Sequence, residues 1–431
     1  MNAPARPTLV VCILNWNGRA WLADCLDALA AQTRPADAVI LIDNGSTDDS
    51  VAFVRERFPD VQVRENGGNL GFAAGNNAAL REVAADCYVL LNPDVVLAPD
   101  CLAALAGALA ADPTIGVAGC KLWYPGGEII QHAGGFITAP RAMPGHYGIG
   151  ERDTGQHDTP RDVDYVIGAA LAVRRETLAA IGLMDEGFFL FFEDADLCAR
   201  ARRAGVRVVY RPEATGIHVE SATAAPGSLA YLQRFHAGRW RYLLKHFPAE
   251  MILTETVPAE AAWLGLLGAA ERRAAGLAYL ATRRKLLDIA AARAREGAGA
   301  WSPETERAIA SALGELGARA AAPDRPSPHP ADLAVLTEQP FTSTVPLLGP
   351  LIGRFRAAWN NVASRWYLGH LMAQQNEFNR LVVAQLARHE AETREMLALL
   401  EEQVVITAEM ELRLQELAAR VAELQARGEQ S

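Results

Sequence analysis

Short apolar runs and longer amphipathic stretches alternate from Leu9 to Ala111. Leu9–Leu14, Ala38–Ile42, Val61–Arg64 and Tyr88–Leu91 have the length and β-branched content of strands. Between them, Gly18–Ala31, Ser50–Phe58, Ala74–Ala84 and, after Pro99, Asp100–Ala111 read as helices. In the first helix Trp21, Cys25, Leu26 and Leu29 share a face; Ser46, Thr47 or Asp48 can cap the second. Repeated strand–helix units predict an α/β fold, a Rossmann-like and mostly parallel sheet with flanking helices.

From Gly116 to Asp164 the pattern breaks. Gly, Pro, His and Asp predict loops and short antiparallel strands there. Val166–Val173 is strand-like, Glu193–Ala204 reads as a helix opening on acids, and Val206–Tyr210 is the last clear strand before the α/β region closes near Pro248. Pro258–Ala320 is Ala-, Leu- and Arg-rich and predicts helices. The Pro-rich stretch that begins at Ala322 is a linker by composition. Leu351–Leu371 is amphipathic. A 4-3 spacing then ends on Met410, Leu414, Leu417, Val421 and Leu424, an a/d seam that predicts a coiled coil; the alternative is a helix packed back on its own domain. The expected organisation is an α/β domain over 1–250, a helical extension over 251–321, a Pro-rich linker over 322–345, and an amphipathic helix with coiled coil over 346–431.

A chain of 431 residues predicts two or three domains. A net charge of -10 argues against a general nucleic-acid binder. None of the six cysteines forms a C-x-x-C pair, which predicts reduced, buried thiols in a cytoplasmic protein. No apolar run reaches the ~18 residues of a membrane span.

Three acidic turns follow the strands in order. Asp43 precedes Asn44-Gly45 and could accept hydrogen bonds from a base or ribose, or close an Asx turn. Asn92-Pro93-Asp94 ends an apolar strand, where one carboxylate plus substrate phosphate oxygens could hold Mg²⁺ or Mn²⁺; it could also cap the next helix. Glu193-Asp194-Ala195-Asp196 follows an aromatic run that can raise a carboxyl pKa, so Asp194 or Glu193 could act as a general base; acids at a helix N-terminus are the alternative. Between the first two lies Asn69-Leu70-Gly71-Phe72-Ala73-Ala74-Gly75-Asn76-Asn77, where glycines admit a ligand to the backbone and amides read hydroxyls, or which is only a structural loop. His218 is a candidate second metal ligand or a structural histidine. Arg234, Arg239, Arg241 and Lys245 could meet a diphosphate or form a solvated face.

Taken in order with Ile13-Leu14-Asn15-Trp16-Asn17-Gly18, these motifs resemble family 2 glycosyltransferases of the GT-A fold, near the rhamnosyltransferase-like branch, over residues 8–248. The resemblance implies that Asp43 and the Leu14–Asn15 region hold the nucleotide base, with Asn69, Gly71, Asn76 and Asn92 in the same nucleotide-sugar site. Asp94 matches the last acid of the D-x-D-type metal motif, Asn92 standing in place of the first. His218 matches a metal-facing histidine, and Asp194, beside Glu193, matches the catalytic base. Gly168-Ala169-Ala170 would lie beside the acceptor site.

The implied activity is an inverting, Mg²⁺- or Mn²⁺-dependent transfer of a sugar, such as rhamnose from its nucleoside diphosphate, to a glycan or lipid-linked acceptor in bacterial polysaccharide synthesis. An assembly or scaffold protein that only binds nucleotide-sugar is the alternative. A nucleotidyltransferase is disfavoured, since no Gly-rich, Lys-containing triphosphate loop opens the chain. The seam predicts a homo-oligomer or a coiled-coil partner. Arg272, Arg273, Arg283, Arg284 and Lys285 beside Leu and Ala offer peripheral contact with the inner face of a membrane, against the alternative of an ordinary packed helical domain.

Overall fold

The computed structural model of the protein describes residues 6–220 and 227–321. The expected linker, amphipathic helix and coiled coil lie outside the described residues. The first half alternates as the apolar pattern requires: β1 (Leu9–Asn15), α1 (Arg19–Ala30), β2 (Ala38–Asp43), α2 (Ser50–Arg57), β3 (Gln62–Glu65), α3 (Phe72–Glu82) and β4 (Cys87–Leu91). There follow β5 (Val95–Leu97), α4 (Cys101–Ala111), β6 (Ile115–Trp123), β7 (Ile130–His132), β8 (Gly135–Thr138), β9 (Met143–His146), β10 (Arg161–Asp162), β11 (Ala170–Arg174), α5 (Arg175–Ile181), α6 (Glu193–Arg203), β12 (Arg207–His218) and α7 (Leu229–His246).

The main sheet runs β10-β12-β6-β11-β4-β1-β2-β3. β3, β2, β1, β4, β6 and β12 point one way; β11 and β10 run against them. Period-two alternation buries both faces. Val10, Cys12, Ile40, Ile42, Tyr88 and Leu90 face the core shared with α3, α6 and α7. Leu9, Val11, Ile13, Leu41, Val89 and Leu91 face the core under α1, α2 and α4. All six cysteines are free and buried.

The structure corrects several expected elements. Residues 115–123 form one long buried strand, β6, parallel to β12, where loops and short antiparallel strands were expected. Gly119 misled the pattern: the Val166 side chain fills the place its Cβ would take, 2.3 Å from that position. The strand expected over Val166–Val173 is correspondingly short, at Ala170–Arg174. β12 runs on to His218 instead of stopping at Tyr210, because a register shift between Arg211 and Thr215 absorbs Pro212. His218 therefore sits on the strand, not after it. Trp21 is not on the buried face of α1, which is made by Leu22, Cys25, Leu26 and Leu29. The N-cap of α2 is Asp49, without a side-chain capping bond.

After α7, Ala249–Met251, a π-helical turn Ile252–Thr256 and Val257–Leu264 make one helical run, followed by helices Ala269–Arg284, Leu286–Arg295 and Pro303–Ala321. These helices pack on α7: Trp240 meets Tyr279 edge to face at 5.6 Å. Arg293 Nη1 donates to the carbonyls of Leu244, Lys245 and Phe247, which caps the C-terminal end of α7. Among the described residues, no helix is long and apolar enough to cross a membrane.

Candidate active site

The carboxyl ends of β1 and β4 open on a cavity of about 380 Å³. Its lining includes Leu14, Trp16, Asn17 and Trp21 from β1, the turn after it and α1, Asn69, Gly71 and Phe72 at the start of α3, and Asn92, Pro93 and Asp94 after β4. Phe189, Leu190 and Arg234 close the far wall, with the Arg234 guanidinium 4.7 Å from the centre of the Phe189 ring. An edge of this kind gathers strand ends that are distant in sequence, and it is where ligands bind in open α/β sheets. The aromatic walls offer faces for stacking, and the amides of Asn69 and Asn92 offer hydrogen-bond donors and acceptors.

The loop over α3 is held by contacts that only the fold reveals. Gly71 adopts φ 84°, and its missing Cβ would lie 2.5 Å from the Phe189 carbonyl oxygen. That close approach lets Phe72 N donate to Phe189 O at 2.7 Å. Asn44, absent from the expected site, is buried and lines the cavity. Its amide nitrogen donates to Asn69 Oδ1 and Gly71 O, and its oxygen accepts from Asn66 Nδ2 and Leu70 N. The only advance signal was its place in the Asp43-Asn44-Gly45 turn.

Four expected site residues, Asn69, Gly71, Asn92 and Asp94, meet at the cavity. Asn15, Asp43 and Asn76 are buried and do not line it. Asp43 Oδ2 accepts from Gly45 N and Ser46 N, an Asx turn, and its Oδ1 accepts from Asn15 Nδ2 at 3.2 Å. Asn15 also donates to Ser46 Oγ and accepts from Gly18 N. Asn76 Nδ2 donates to Phe72 O within α3. Its neighbour Asn77 makes the long-range contacts, donating to Met184 O and Glu186 Oε1 and so tying α3 to the loop that ends in Phe189.

Asp94 is 5% exposed, and the antiparallel pairing of β5 with β12 sets Val95 opposite His218. His218 Nε2 lies 3.4 Å from Asp94 Oδ1. The other ring nitrogen, Nδ1, is engaged by Gln131 Oε1 at 2.8 Å. A carboxylate oxygen and an imidazole nitrogen at this separation form a hard-and-borderline donor pair that fits a small divalent cation, with the outer nitrogen held by an oxygen as ligating histidines usually are.

Asp194 is half-buried, and Glu193 is buried. Neither lines the cavity, but a Cβ at Gly168 would touch both the Phe72 ring, which does, and the Asp194 Cβ. Gly168 N donates to Asp194 Oδ2 at 2.8 Å, and Ala195 N to its Oδ1 at 2.7 Å. Burial pushes the Asp194 carboxyl above its ordinary range against those two hydrogen bonds. Burial, then the Asp194 charge, pushes Glu193 well above it, and Glu193 Oε2 has no hydrogen-bond partner among the described residues. Two consecutive left-handed residues, Phe191 (φ 73°) and Phe192 (φ 70°), turn the chain into α6. Such backbone costs about 1–2 kcal/mol per residue and persists only where surroundings impose it.

Asp196, two residues on, has a different role. It is fully buried on Arg200, Lys245 and His246. Asp185, Asp196 and Glu296 converge closely enough for a metal, but the Lys245 ammonium fills that centre, at 2.6, 2.6 and 2.9 Å. Arg239, Arg241 and Lys245 of α7 are thus neither a diphosphate clamp nor a solvated face. Arg239 pairs with buried Glu260, Arg241 grips Asp185 with two bonds, and of the four expected cations only Arg234 reaches the cavity.

Residues 5–242 match the family model described as "Glycosyltransferase like family 2". The chain is 28% identical over 239 residues to the N-acetylglucosaminyl-diphospho-decaprenol L-rhamnosyltransferase of Mycobacterium tuberculosis, covering 51% of this chain and 78% of that protein. It is 31% identical over 212 residues to the O-antigen biosynthesis protein RfbC of Myxococcus xanthus, covering 47% of this chain and 16% of that one. Among solved structures, GalNAc-T7 with UDP, GalNAc and Mn²⁺ aligns with a TM-score of 0.49 and 14% identity, over 60% of this chain and 51% of that chain.

Proposed function

This chain belongs to glycosyltransferase family 2, and on that premise we propose that it transfers a sugar, rhamnose as the first candidate, from a nucleoside diphosphate to a glycan or lipid-linked acceptor with inversion. The observation that carries the proposal is the meeting of Asn92, Asp94 and the Asn69–Phe72 turn at one cavity, with Asp194 next to its Phe72 wall. Rhamnose and the lipid-linked acceptor rest on the mycobacterial relative's name.

In this proposal the cavity holds the nucleotide-sugar, Trp16 and Trp21 pack on its flat parts, and Arg234 faces its negative charge. Asp94 and His218 would hold Mg²⁺ or Mn²⁺, which when bound supplies Lewis-acid neutralisation of the leaving diphosphate. The acceptor hydroxyl oxygen bonds to the anomeric carbon as the bond to the diphosphate oxygen breaks. Its proton passes to the Asp194 carboxylate, whose raised pKa makes it a better base than an exposed aspartate. The Gly168 N–H keeps that carboxylate oriented. Asn15 and Asp43 act from behind, by shaping the turn that the nucleotide meets.

The test is a nucleotide-sugar binding panel on the full-length protein, with and without Mn²⁺, beside Asp94→Ala. One donor bound tightly with Mn²⁺, and at least tenfold more weakly by the variant, is the expected result. Donor binding that ignores both Mn²⁺ and the substitution would overturn the assignment of Asp94.

A further inference from the structure

The end of β12 carries a chain of polar contacts that the transfer chemistry leaves unexplained. Gln131, on β7, is buried at 4% exposure. Its Oε1 lies 2.8 Å from His218 Nδ1, and its Nε2 donates to Glu220 Oε2 at 3.2 Å. Glu220 lies just past the end of β12, with φ +55°. A side chain other than glycine keeps that backbone only where its surroundings impose it.

The polarity of this chain is fixed from its outer end. An ionised carboxylate only accepts hydrogen bonds, so the Gln131 NH₂ turns to Glu220 and its carbonyl oxygen turns to His218. In the neutral imidazole that a cation requires, the proton then sits on Nδ1. Its Nε2 is left as the lone pair that faces Asp94 Oδ1, 3.4 Å away. With the amide reversed, the proton would move to Nε2 and the nitrogen beside Asp94 could not bind a cation.

We propose that Gln131 and Glu220 are positioning residues for a divalent cation at Asp94: the carboxylate orients the amide, the amide selects the His218 tautomer, and the tautomer presents Nε2. This rests on the cation assignment made above. Outer partners of ligating histidines are worth about 10–100-fold in metal affinity.

The test is Mn²⁺ alone, titrated into full-length protein and followed by loss of the free-ion electron paramagnetic resonance signal, with melting temperature as the check on folding. Gln131→Leu should weaken Mn²⁺ binding about tenfold or more. Glu220→Gln, at an exposed position, should weaken it less, because an amide there no longer dictates which way Gln131 turns. The double variant Gln131→Glu/Glu220→Gln keeps an oxygen toward His218 Nδ1 and should recover most of the affinity. A folded Gln131→Leu with wild-type Mn²⁺ affinity, while Asp94→Ala has lost it, would overturn the relay and leave the cation site standing. Wild-type Mn²⁺ affinity in Asp94→Ala, or no Mn²⁺ bound by the wild type, would overturn the cation site and the relay with it. If Gln131→Leu fails to fold, unchanged affinity in Glu220→Gln decides against the relay.

Discussion

Replacing Lys245 with methionine takes a fully buried ammonium out of the centre of three acids, of which Asp196 is fully buried and Asp185 and Glu296 are half-buried. The loss falls unevenly. Asp185 keeps both bonds to Arg241, and Asp196 keeps Arg200 and His246 at 2.8 Å. Glu296 is left with Arg200 Nε at 4.0 Å. Removing one partner of a buried ion pair costs about 3–5 kcal/mol. Two acids remain paired, and the third can escape by taking a proton, since burial already holds Glu296 above its usual range. The expected loss is therefore at the lower end, about 3 kcal/mol near neutral pH.

The pH dependence follows. An acid whose folded pKa is raised favours the native state most below its unfolded value, about 4.3, and loses that advantage as pH rises through the folded value. Without Lys245 the Glu296 pKa rises further, so the deficit of Lys245→Met should shrink as pH falls from about 8 toward 5. Urea unfolding of wild type, Lys245→Met, Glu296→Gln and the double variant at both pH values measures this, and the double variant should recover about 1–2 kcal/mol of the single variant's loss. A Lys245→Met protein within about 1 kcal/mol of wild type at the higher pH, or a double variant no more stable than the single, would refute the reasoning.

Two further outcomes are expected. Asp194→Asn should lower transfer by about 10²–10⁴ with donor binding unchanged; the wild-type rate should fall on its acid side at a pH above the ordinary carboxylate range, because the base works ionised and burial raises its pKa, and a pH–rate profile beside a donor titration reads both. Gly238→Ala should cost about 1–3 kcal/mol and reduce transfer, since its Cβ would lie 2.7 Å from the Phe191 carbonyl oxygen and displace the strained turn into α6; thermal unfolding and initial rates measure the two effects.

The alternation of apolar runs determined β1 to β4 and α1 to α4, because burial on two faces of a sheet and on one face of a helix leaves a period that local sequence must carry. The order of Asp43, Asp94 and Asp194 was legible for a related reason: each acid stands at or just beyond the end of an element that the pattern marks. β6 escaped because Gly116 and Gly119 look like loop residues until Thr177, Val206 and Val166 are seen filling the space beside them. The choice among neighbouring acids was made only in three dimensions. Asp194 and Asp196 share the first turn of α6, yet one meets Gly168 N at the cavity side and the other meets Lys245 and Arg200 in the interior. The same holds for α7, whose cations look alike in sequence and are sorted by the acids that distant segments bring to them. His218 and Gln131 stand 87 residues apart, and nothing local to either predicts the other. Sequence encodes the backbone through short-range periodicity, while a side chain's partner is fixed by which element ends the sheet topology sets side by side.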